Sequence, residues 1–362
     1  MSIPFILDVD TGIDDAFGLL YALAAPSIRL LGVATVAGNV DLAKATRNTR
    51  AVLALGGRSD IPVWPGCASP LLRAPEDASD IHGATGLGGA VLQEPPEDPA
   101  PTHAIDAILA AARDHTGELV LVATGPLTNI AAALLRDPGL PRRLKRLVLM
   151  GGALREAGNV TPAAEFNIWH DPEAARIVFR AFGAEGAAPL VAVGLDVTRT
   201  TLLFESDLAA LARRCAGLPR APPLLRFLED SARYYFDLME KRYGARRLVM
   251  HDPLAIAAAI DPTLIATEAV AVDVEISGEL TSGMTVADWR GVWKRSPNAQ
   301  VATEVDAPRF IAGFSMRWNG WRAEIVAALP ERGRRRAPHF ISVSQAEPMS
   351  QRPRPQQRPW RR

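Results

Sequence analysis

Short runs of β-forming residues alternate with Ala- and Leu-rich segments along most of this chain, and this alternation limits its fold more than any other feature. Ile3–Val9 is typical of a buried strand, and Asp14–Ala25 places its apolar residues on one helical stripe. Leu30–Val36 and Asp41–Leu55 repeat the pair, with Asp41 as a suitable N-cap. Strands that alternate with helices predict an α/β fold: a mostly parallel, open, Rossmann-like sheet covered by helices on both faces.

The alternation continues to about residue 200 and then changes. The predicted strands of the first part are Glu118–Ala123, Arg146–Met150 and Leu190–Val197, and its helices are Thr102–His115, Leu127–Arg136 and Asp171–Phe182. Beyond it the pattern predicts two consecutive helices, a late pair of strands and a final helix: Leu208–Ala216, Leu224–Tyr243, Val270–Ile276, Met284–Trp289 and Ala307–Leu329. No polar linker interrupts residues 1–330, so we expect a single domain there.

Residues 331–362 differ in composition from the rest of the chain. They hold nine Arg and two Glu among many Pro and Gln residues, whereas the whole chain has 40 basic and 40 acidic residues. Such a segment cannot bury enough apolar surface to offset its ordering entropy, and we expect a disordered tail. A polybasic anion-binding arm is the alternative. The remaining chain is mildly acidic, which argues against a nucleic-acid-binding protein.

Two cysteines, Cys67 and Cys215, are too few for a disulfide scaffold and lack the spacing of a metal site. The first ten residues have no basic region followed by a long apolar run, so they do not predict a signal peptide. No apolar stretch reaches the roughly 18 residues that a membrane span needs. These features lead us to expect a cytoplasmic protein that does not bind membranes.

Four carboxylates, Asp8, Asp10, Asp14 and Asp15, follow one another closely at the end of the first predicted strand. Ligands bind at this end of the strands in open α/β sheets. Clustered carboxylates repel each other, although a helix N-terminus favours negative charge. A helix cap would explain one Asp but not four. A bound cation would remove the repulsion, and all-oxygen ligands favour Ca²⁺ or Mg²⁺.

The Asp8–Thr11 segment also resembles the Mg²⁺-dependent phosphatases of the haloacid dehalogenase family, in which the first Asp is the nucleophile. That family needs a downstream Lys and a later acidic pair. The four lysines of this chain, Lys44, Lys145, Lys241 and Lys294, do not fall beside such a pair at a strand end. The phosphatase therefore stays as the alternative function.

Several other polar segments follow predicted strands, where they would converge on the same rim of the sheet. They are Asn39, the loop of His82, Thr124–Asn129, Met150–Gly152, Asn159–Asn167 and His251–Asp252. Together with Asp8–Asp15, they resemble the nucleoside hydrolases, the inosine–uridine-preferring nucleoside N-ribohydrolase family, from Ile3 to about Leu329. Thr11 stands where this family often has Pro, and Gly12 still permits the turn.

The resemblance implies a nucleoside hydrolase fold and a role for each matching residue. One Ca²⁺ would be held by the side chains of Asp10, Asp15 and Asp252 and by the backbone carbonyl of Thr124. Asp14 would contact the attacking water and the ribose, and His251 would protonate the leaving base. Ribose and base would lie against Asn39, His82, Met150, Asn159, Glu165, Phe166 and Asn167.

The implied reaction is hydrolysis of a ribonucleoside to free base and ribose through an oxocarbenium-like transition state, with water activated by Ca²⁺ and Asp14. A catalytically silent ribose- or nucleoside-binding protein is a further alternative, but such a binder does not need Asp14. Base preference stays open. It would depend on His82 and on aromatic residues of one helix that are also suited to core packing, Tyr234, Tyr235, Phe236 and Tyr243. The family implies a homodimer or homotetramer.

Overall fold

Eight strands form the central sheet of the computed structural model, which describes residues 2–95, 102–215 and 221–320. The described residues contain these eight strands and four more, numbered together in chain order: β1 (Ile3–Val9), β2 (Ile28–Thr35), β3 (Val63–Pro65), β4 (Val120–Ala123), β5 (Arg146–Met150), β6 (Leu190–Val193), β7 (Leu202–Leu203), β8 (Leu248–Val249), β9 (Ile265–Val270), β10 (Val272–Val274), β11 (Thr285–Ala287) and β12 (Ala299–Val305). The sheet order is β3-β2-β1-β4-β5-β6-β12-β9, and β10–β11 and β7–β8 form two separate pairs. All neighbours in the sheet are parallel except β12 and β9, which confirms the predicted mostly parallel sheet.

Helices fill most connections between these strands. They are α1 (Ile13–Leu23), α2 (Leu42–Leu55), α3 (Ser79–His82), α4 (Ala104–Asp114), α5 (Thr128–Arg136), α6 (Leu140–Arg143), α7 (Phe166–His170), α8 (Pro172–Ala181), α9 (Leu195–Thr198), α10 (Glu205–Cys215), α11 (Ala221–Tyr243), α12 (His251–Ile260) and α13 (Ala307–Gly320). Asp41 caps α2 as predicted, because its side chain accepts a hydrogen bond from the backbone N–H of Lys44.

The side chains of β1 alternate between two apolar layers. Phe5 and Leu7 lie in one layer with residues of α1, α11 and α12, whereas Ile6 lies in the other with residues of α4, α5 and α8. Fully burying one such side chain contributes about 1.5–3 kcal/mol. The two layers confirm that helices cover both faces, and β1 is an inner strand between β2 and β4.

The structure differs from the predicted elements mainly in its strands. The strand predicted at Leu190–Val197 ends at Val193, because its neighbour β5 ends at the paired residue Met150 and the next residues turn into α9. The edge strands β3 and β9 and the inner strand β12 were not predicted. The late pair of strands is confirmed in a shorter form, as β10 and β11.

The final helix begins at Ala307 as predicted and extends to Gly320. The rest of that predicted helix and the tail at 331–362 lie outside the described residues, and the single domain at 1–330 stays a prediction. Within the described residues, no helix combines the length and the apolar character that crossing a membrane requires.

Candidate active site

Two helices bring three carboxylates together at the carboxyl end of the sheet. Asp14 and Asp15 lie on the first turn of α1, and Asp252 lies on the first turn of α12. One carboxylate oxygen from each lies within 4.8 Å of the others. The two helices are packed closely, since a Cβ on Gly18 would lie 2.7 Å from Cδ1 of Ile256. Both helix N-termini therefore point at the same negative charges, which their dipoles stabilise.

Both oxygens of the Asp15 carboxylate accept hydrogen bonds from protein donors. Its Oδ2 accepts hydrogen bonds from the backbone N–H of Gly12 at 2.9 Å and from Nδ2 of Asn39 at 3.1 Å. Its Oδ1 accepts a hydrogen bond from Oγ1 of Thr124 at 2.7 Å. Asp15 is thus fixed by the loops that follow β1, β2 and β4, and it is completely buried.

Asp10 lies beside this trio and shares Asn39 with it. Its Oδ2 accepts the backbone N–H of Asn39 at 2.7 Å, whereas its Oδ1 is buried without a hydrogen-bond partner among the described residues. Oδ1 of Asp14 is likewise buried without a hydrogen-bond partner among these residues. Buried carboxylate oxygens without partners are costly, and each one calls for an explanation such as a bound ion.

The electrostatics of these acids agree with that explanation. Burial and the charge of Asp15 raise the pKa of Asp10 well above its usual range, and they raise the pKa of Asp14 to about 7. Burial and the charge of Asp14 raise the pKa of Asp252 well above its usual range. The acids therefore resist ionising together, and a cation between them would offset both the desolvation and the repulsion.

Asp8 takes no part in this trio. Its Oδ1 accepts a hydrogen bond from Nδ2 of Asn129 at 2.8 Å, and burial raises its pKa to about 7. Asn129 also donates to the carbonyl of Thr35 and accepts from the backbone N–H of Cys67. Through these hydrogen bonds Asn129 connects Asp8 of β1 and Thr35 of β2 to Cys67 in the loop after β3.

Glu165 and Asn167 hold α7 against the sheet. Glu165 caps the helix: Oε1 accepts the backbone N–H of Asn167, and Oε2 accepts those of Ile168 and Gly152. The side-chain amide of Asn167 donates to the backbone carbonyls of Thr124 at 2.7 Å and of Met150 at 3.1 Å. Both residues are buried at the predicted site, each with its own partners in the protein.

Asn159 and Phe166, which are also predicted to bind the nucleoside, lie at the start of α7. Asn159 is exposed, and its Oδ1 accepts the backbone N–H of Phe166 at 2.9 Å. The half-buried ring of Phe166 lies against His170 and Trp169, with centroid distances of 5.6 and 6.3 Å. This packing places Asn159 and Phe166 together at the start of the helix that also carries Asn167.

Two histidines lie at the same site, and both are neutral at neutral pH. His82 is buried, its Nδ1 accepts the backbone N–H of Ile13 at 3.0 Å, and burial lowers its pKa to about 4. His251 is hydrogen bonded through Nδ1 to Oγ1 of Thr198 at 2.7 Å. Burial, together with the charges of Arg199 and His82, lowers the pKa of His251 to about 3.

The aromatic residues considered for base recognition separate in the structure. Phe236 is packed in the core, and Tyr243 is 68% exposed. Burial, together with the negative charge of nearby Asp14, raises the pKa of Tyr235.

Thr198, the partner of His251, was not predicted, because a lone threonine 53 residues before His251 carries no sequence signal.

Comparisons with known proteins agree with this geometry. A family model described as inosine-uridine preferring nucleoside hydrolase matches residues 5–312. The chain is 39% identical to the pyrimidine-specific ribonucleoside hydrolase RihA of Enterobacter sp. (strain 638), over 88% of this chain and 100% of that protein. It is 40% identical to the inosine-uridine preferring nucleoside hydrolase of Leishmania major, over 84% of this chain and 94% of that protein.

Solved structures give the same answer. The purine-preferring ribonucleoside hydrolase from Gardnerella vaginalis has a TM-score of 0.80 and 34% identity to this chain, covering 88% of this chain and 99% of that one. The plant nucleoside hydrolase PpNRh1 has a TM-score of 0.80 and 32% identity, covering 89% and 100%. The chain therefore belongs to the inosine-uridine preferring nucleoside hydrolase family, and it is an enzyme that hydrolyses N-glycosidic bonds of ribonucleosides.

Proposed function

We propose that this enzyme converts ribonucleosides and water to free base and ribose in a Ca²⁺-dependent reaction. The observation that carries the proposal is the buried acidic cluster of Asp14, Asp15 and Asp252, beside which Asp10 and Asp14 each keep an oxygen without a protein partner. An enzyme that only bound sugar through hydrogen bonds would have no use for so many buried negative charges in one place.

The residues present fit a hard cation. The atoms that we propose as metal ligands are all oxygen atoms, which favours Ca²⁺ or Mg²⁺ over softer metals. Gly38 and Gly125 keep space around Asp10, since a Cβ at Gly38 would collide with its Oδ2. Ca²⁺ accepts six to eight oxygen ligands in flexible geometry, as a ring of three carboxylates, one carbonyl and sugar hydroxyls would require. Asp10, Asp15, Asp252 and the carbonyl of Thr124 would hold it.

When bound, the cation would act as a Lewis acid toward its oxygen ligands and would offset the charge of the carboxylates. The other parts of the reaction belong to the protein. Asp14 contributes a carboxylate oxygen to the cluster and has an Oδ1 without a hydrogen-bond partner among the described residues, so it would accept the proton of the attacking water. Asn39, Asn159, Glu165 and Asn167 would hold the ribose hydroxyls and orient the sugar, which lowers the entropic part of the barrier.

His251 is the residue that we propose as proton donor to the leaving base. Its Nδ1 is occupied by Thr198, which leaves Nε2 available on the other edge of the ring. This role requires the tautomer in which Nδ1 accepts a hydrogen bond from the Thr198 hydroxyl and Nε2 carries the single ring proton. Nε2–H would pass that proton to the base as negative charge grows on it, and the ring would then take a proton back from solvent. Met150, Phe166 and His82 would complete the walls around the nucleoside.

Replacement of His251 by Ala should separate leaving-group chemistry from sugar binding. We expect natural nucleosides to react at least ~10²-fold more slowly, within the usual range for general acid catalysis, because their bases depart poorly without a proton. A p-nitrophenyl riboside departs as a stabilised phenolate and should be nearly unaffected. Turnover numbers for inosine and for the activated riboside would be compared on samples with measured bound calcium.

Equal slowing of both substrates would contradict this role and would mean that His251 positions the sugar. If neither substrate slowed, the donor would have to be His82 or solvent, which the His82→Ala variant would distinguish. Bound calcium should stay unchanged in His251→Ala, since imidazole is a poor ligand for Ca²⁺ compared with oxygen.

The reaction class itself is tested by a reducing-sugar assay with inosine, uridine and adenosine, beside a phosphatase assay with a generic phosphomonoester. Release of ribose without phosphatase activity is the expected result. Phosphate release alone would favour the Mg²⁺-dependent phosphatase. Nucleoside binding without either product would indicate a silent binding protein. The three nucleosides also report base preference.

We further propose a homodimer or homotetramer in the cytoplasm that acts on free ribonucleosides and not on nucleic acid. Support for the assembly comes from the family resemblance, and light scattering after size-exclusion chromatography would measure it.

A further inference from the structure

The side-chain amide of Asn167 uses its hydrogens on two backbone carbonyls of the sheet. Nδ2 lies 2.7 Å from the carbonyl oxygen of Thr124 and 3.1 Å from that of Met150, and it also lies 3.4 Å from Sδ of Met150. Asn167 is 5% exposed. These contacts join the carboxyl ends of β4 and β5, and they leave only Oδ1 of the amide for a sugar hydroxyl.

The orientation of this amide is fixed by its surroundings. A reversed amide would place an oxygen against two carbonyl oxygens, and no donor would remain between them. The backbone of Asn167 is held as well, since its N–H donates to Oε1 of Glu165 at the start of α7. The direction of the Asn167 amide is therefore set by the helix cap and by the two strands.

Thr124 is the point at which this amide meets the acidic cluster. The residue is buried at the end of β4, and its Oγ1 donates to Oδ1 of Asp15 at 2.7 Å. Its carbonyl oxygen has two lone pairs, of which Asn167 occupies one. The same residue is thus held on its side chain by Asp15 and on its backbone by Asn167.

We infer that Asn167 is a positioning residue for the cation site: its amide sets the direction of the Thr124 carbonyl, in addition to any contact with ribose. The inference rests on the proposed function, because the carbonyl is a ligand only if the cation binds there. Partners that orient metal ligands typically contribute 10- to 100-fold to metal affinity. Asn167 thereby couples the sugar side of the pocket to the cation side.

The test uses the full chain after removal of metal and measures the dissociation constant of Ca²⁺ by titration calorimetry without substrate. Asn167→Ala should weaken Ca²⁺ binding by about 10- to 100-fold. Asn159→Ala is the matched control. Asn159 is also assigned to ribose, but within the described residues its side chain bonds the backbone N–H of Phe166 and not a carbonyl of the sheet. That control should raise KM for nucleosides and leave the Ca²⁺ dissociation constant unchanged.

A second variant, Asn167→Leu, keeps the number and branching of the side-chain heavy atoms, leaves no cavity and removes every donor, so that lost packing is separated from lost hydrogen bonds. Circular dichroism and thermal melting without Ca²⁺ would establish that each variant is folded. Wild-type affinity for Ca²⁺ in a folded Asn167 variant would overturn the inference, as would equal weakening in Asn159→Ala. Absence of Ca²⁺ binding by the wild-type chain would instead reject the proposed calcium site.

Discussion

Asp10→Ala is expected to remove bound calcium and to lower kcat/KM by at least ~10³-fold, the scale on which loss of an essential charged group acts. Asp10 is completely buried, its Oδ1 has no hydrogen-bond partner among the described residues, and burial, together with the charges of nearby Asp15 and Asp14, raises its pKa. Removing it takes away one negative ligand and leaves the cation with Asp15, Asp252 and the Thr124 carbonyl. Calcium content by elemental analysis and kcat/KM with inosine would be measured on the same preparation.

Asp8→Asn is the matched control for this experiment. Asp8 is a buried carboxylate two residues earlier whose Oδ2 also has no hydrogen-bond partner among the described residues, but its Oδ1 is bonded to Asn129 and it is not one of the three clustered acids. An Asn at position 8 can still accept the Asn129 hydrogen bond, so this variant should retain its calcium. Retention of calcium by Asp10→Ala, or equal loss of calcium from Asp8→Asn, would contradict the assignment of Asp10.

We also expect 2′-deoxyuridine to be a very poor substrate compared with uridine, by ~10³-fold or more in kcat/KM. That factor corresponds to about 4 kcal/mol of transition-state stabilisation. The polar side chains that we assign to the ribose hydroxyls, among them those of Asn39 and Asn167, would lose a partner when the 2′-hydroxyl is absent. The two substrates carry the same base, so their ratio reports the hydroxyl alone. Similar kcat/KM values would contradict the assignment of these residues to ribose.

The parts of the fold that the sequence predicted best are those with continuous apolar runs. β1 and β5 have the predicted bounds, because both are buried between two helical layers and end at polar loops. β9 was missed because four of its six residues are exposed, so no alternation of apolar and polar residues is visible. It is a strand because it pairs with β12, which lies more than 30 residues later.

The site shows a similar division. A motif indicates which residues gather at the ends of strands, and the carboxylates of α1 and α12 do meet. It does not indicate which atom of a side chain faces which partner. Glu165 is assigned to ribose from resemblance, and the structure adds that it caps α7 through the backbone N–H groups of Asn167 and Ile168 and also accepts that of Gly152. Capping and sugar binding use the same residue type, so sequence alone cannot separate them.

The close contact between α1 and α12 has a consequence for ion selectivity. Gly18 lies one helical turn beyond Asp14, and Ile256 lies one turn beyond Asp252, so the width of this apolar contact sets the spacing of the carboxylates. Cations of different radius require different ligand spacing, and Mg²⁺ tolerates less variation than Ca²⁺. We therefore expect the apolar contact at Gly18, a residue without a side chain that is not among the proposed ligands, to influence whether Ca²⁺ or Mg²⁺ binds more tightly.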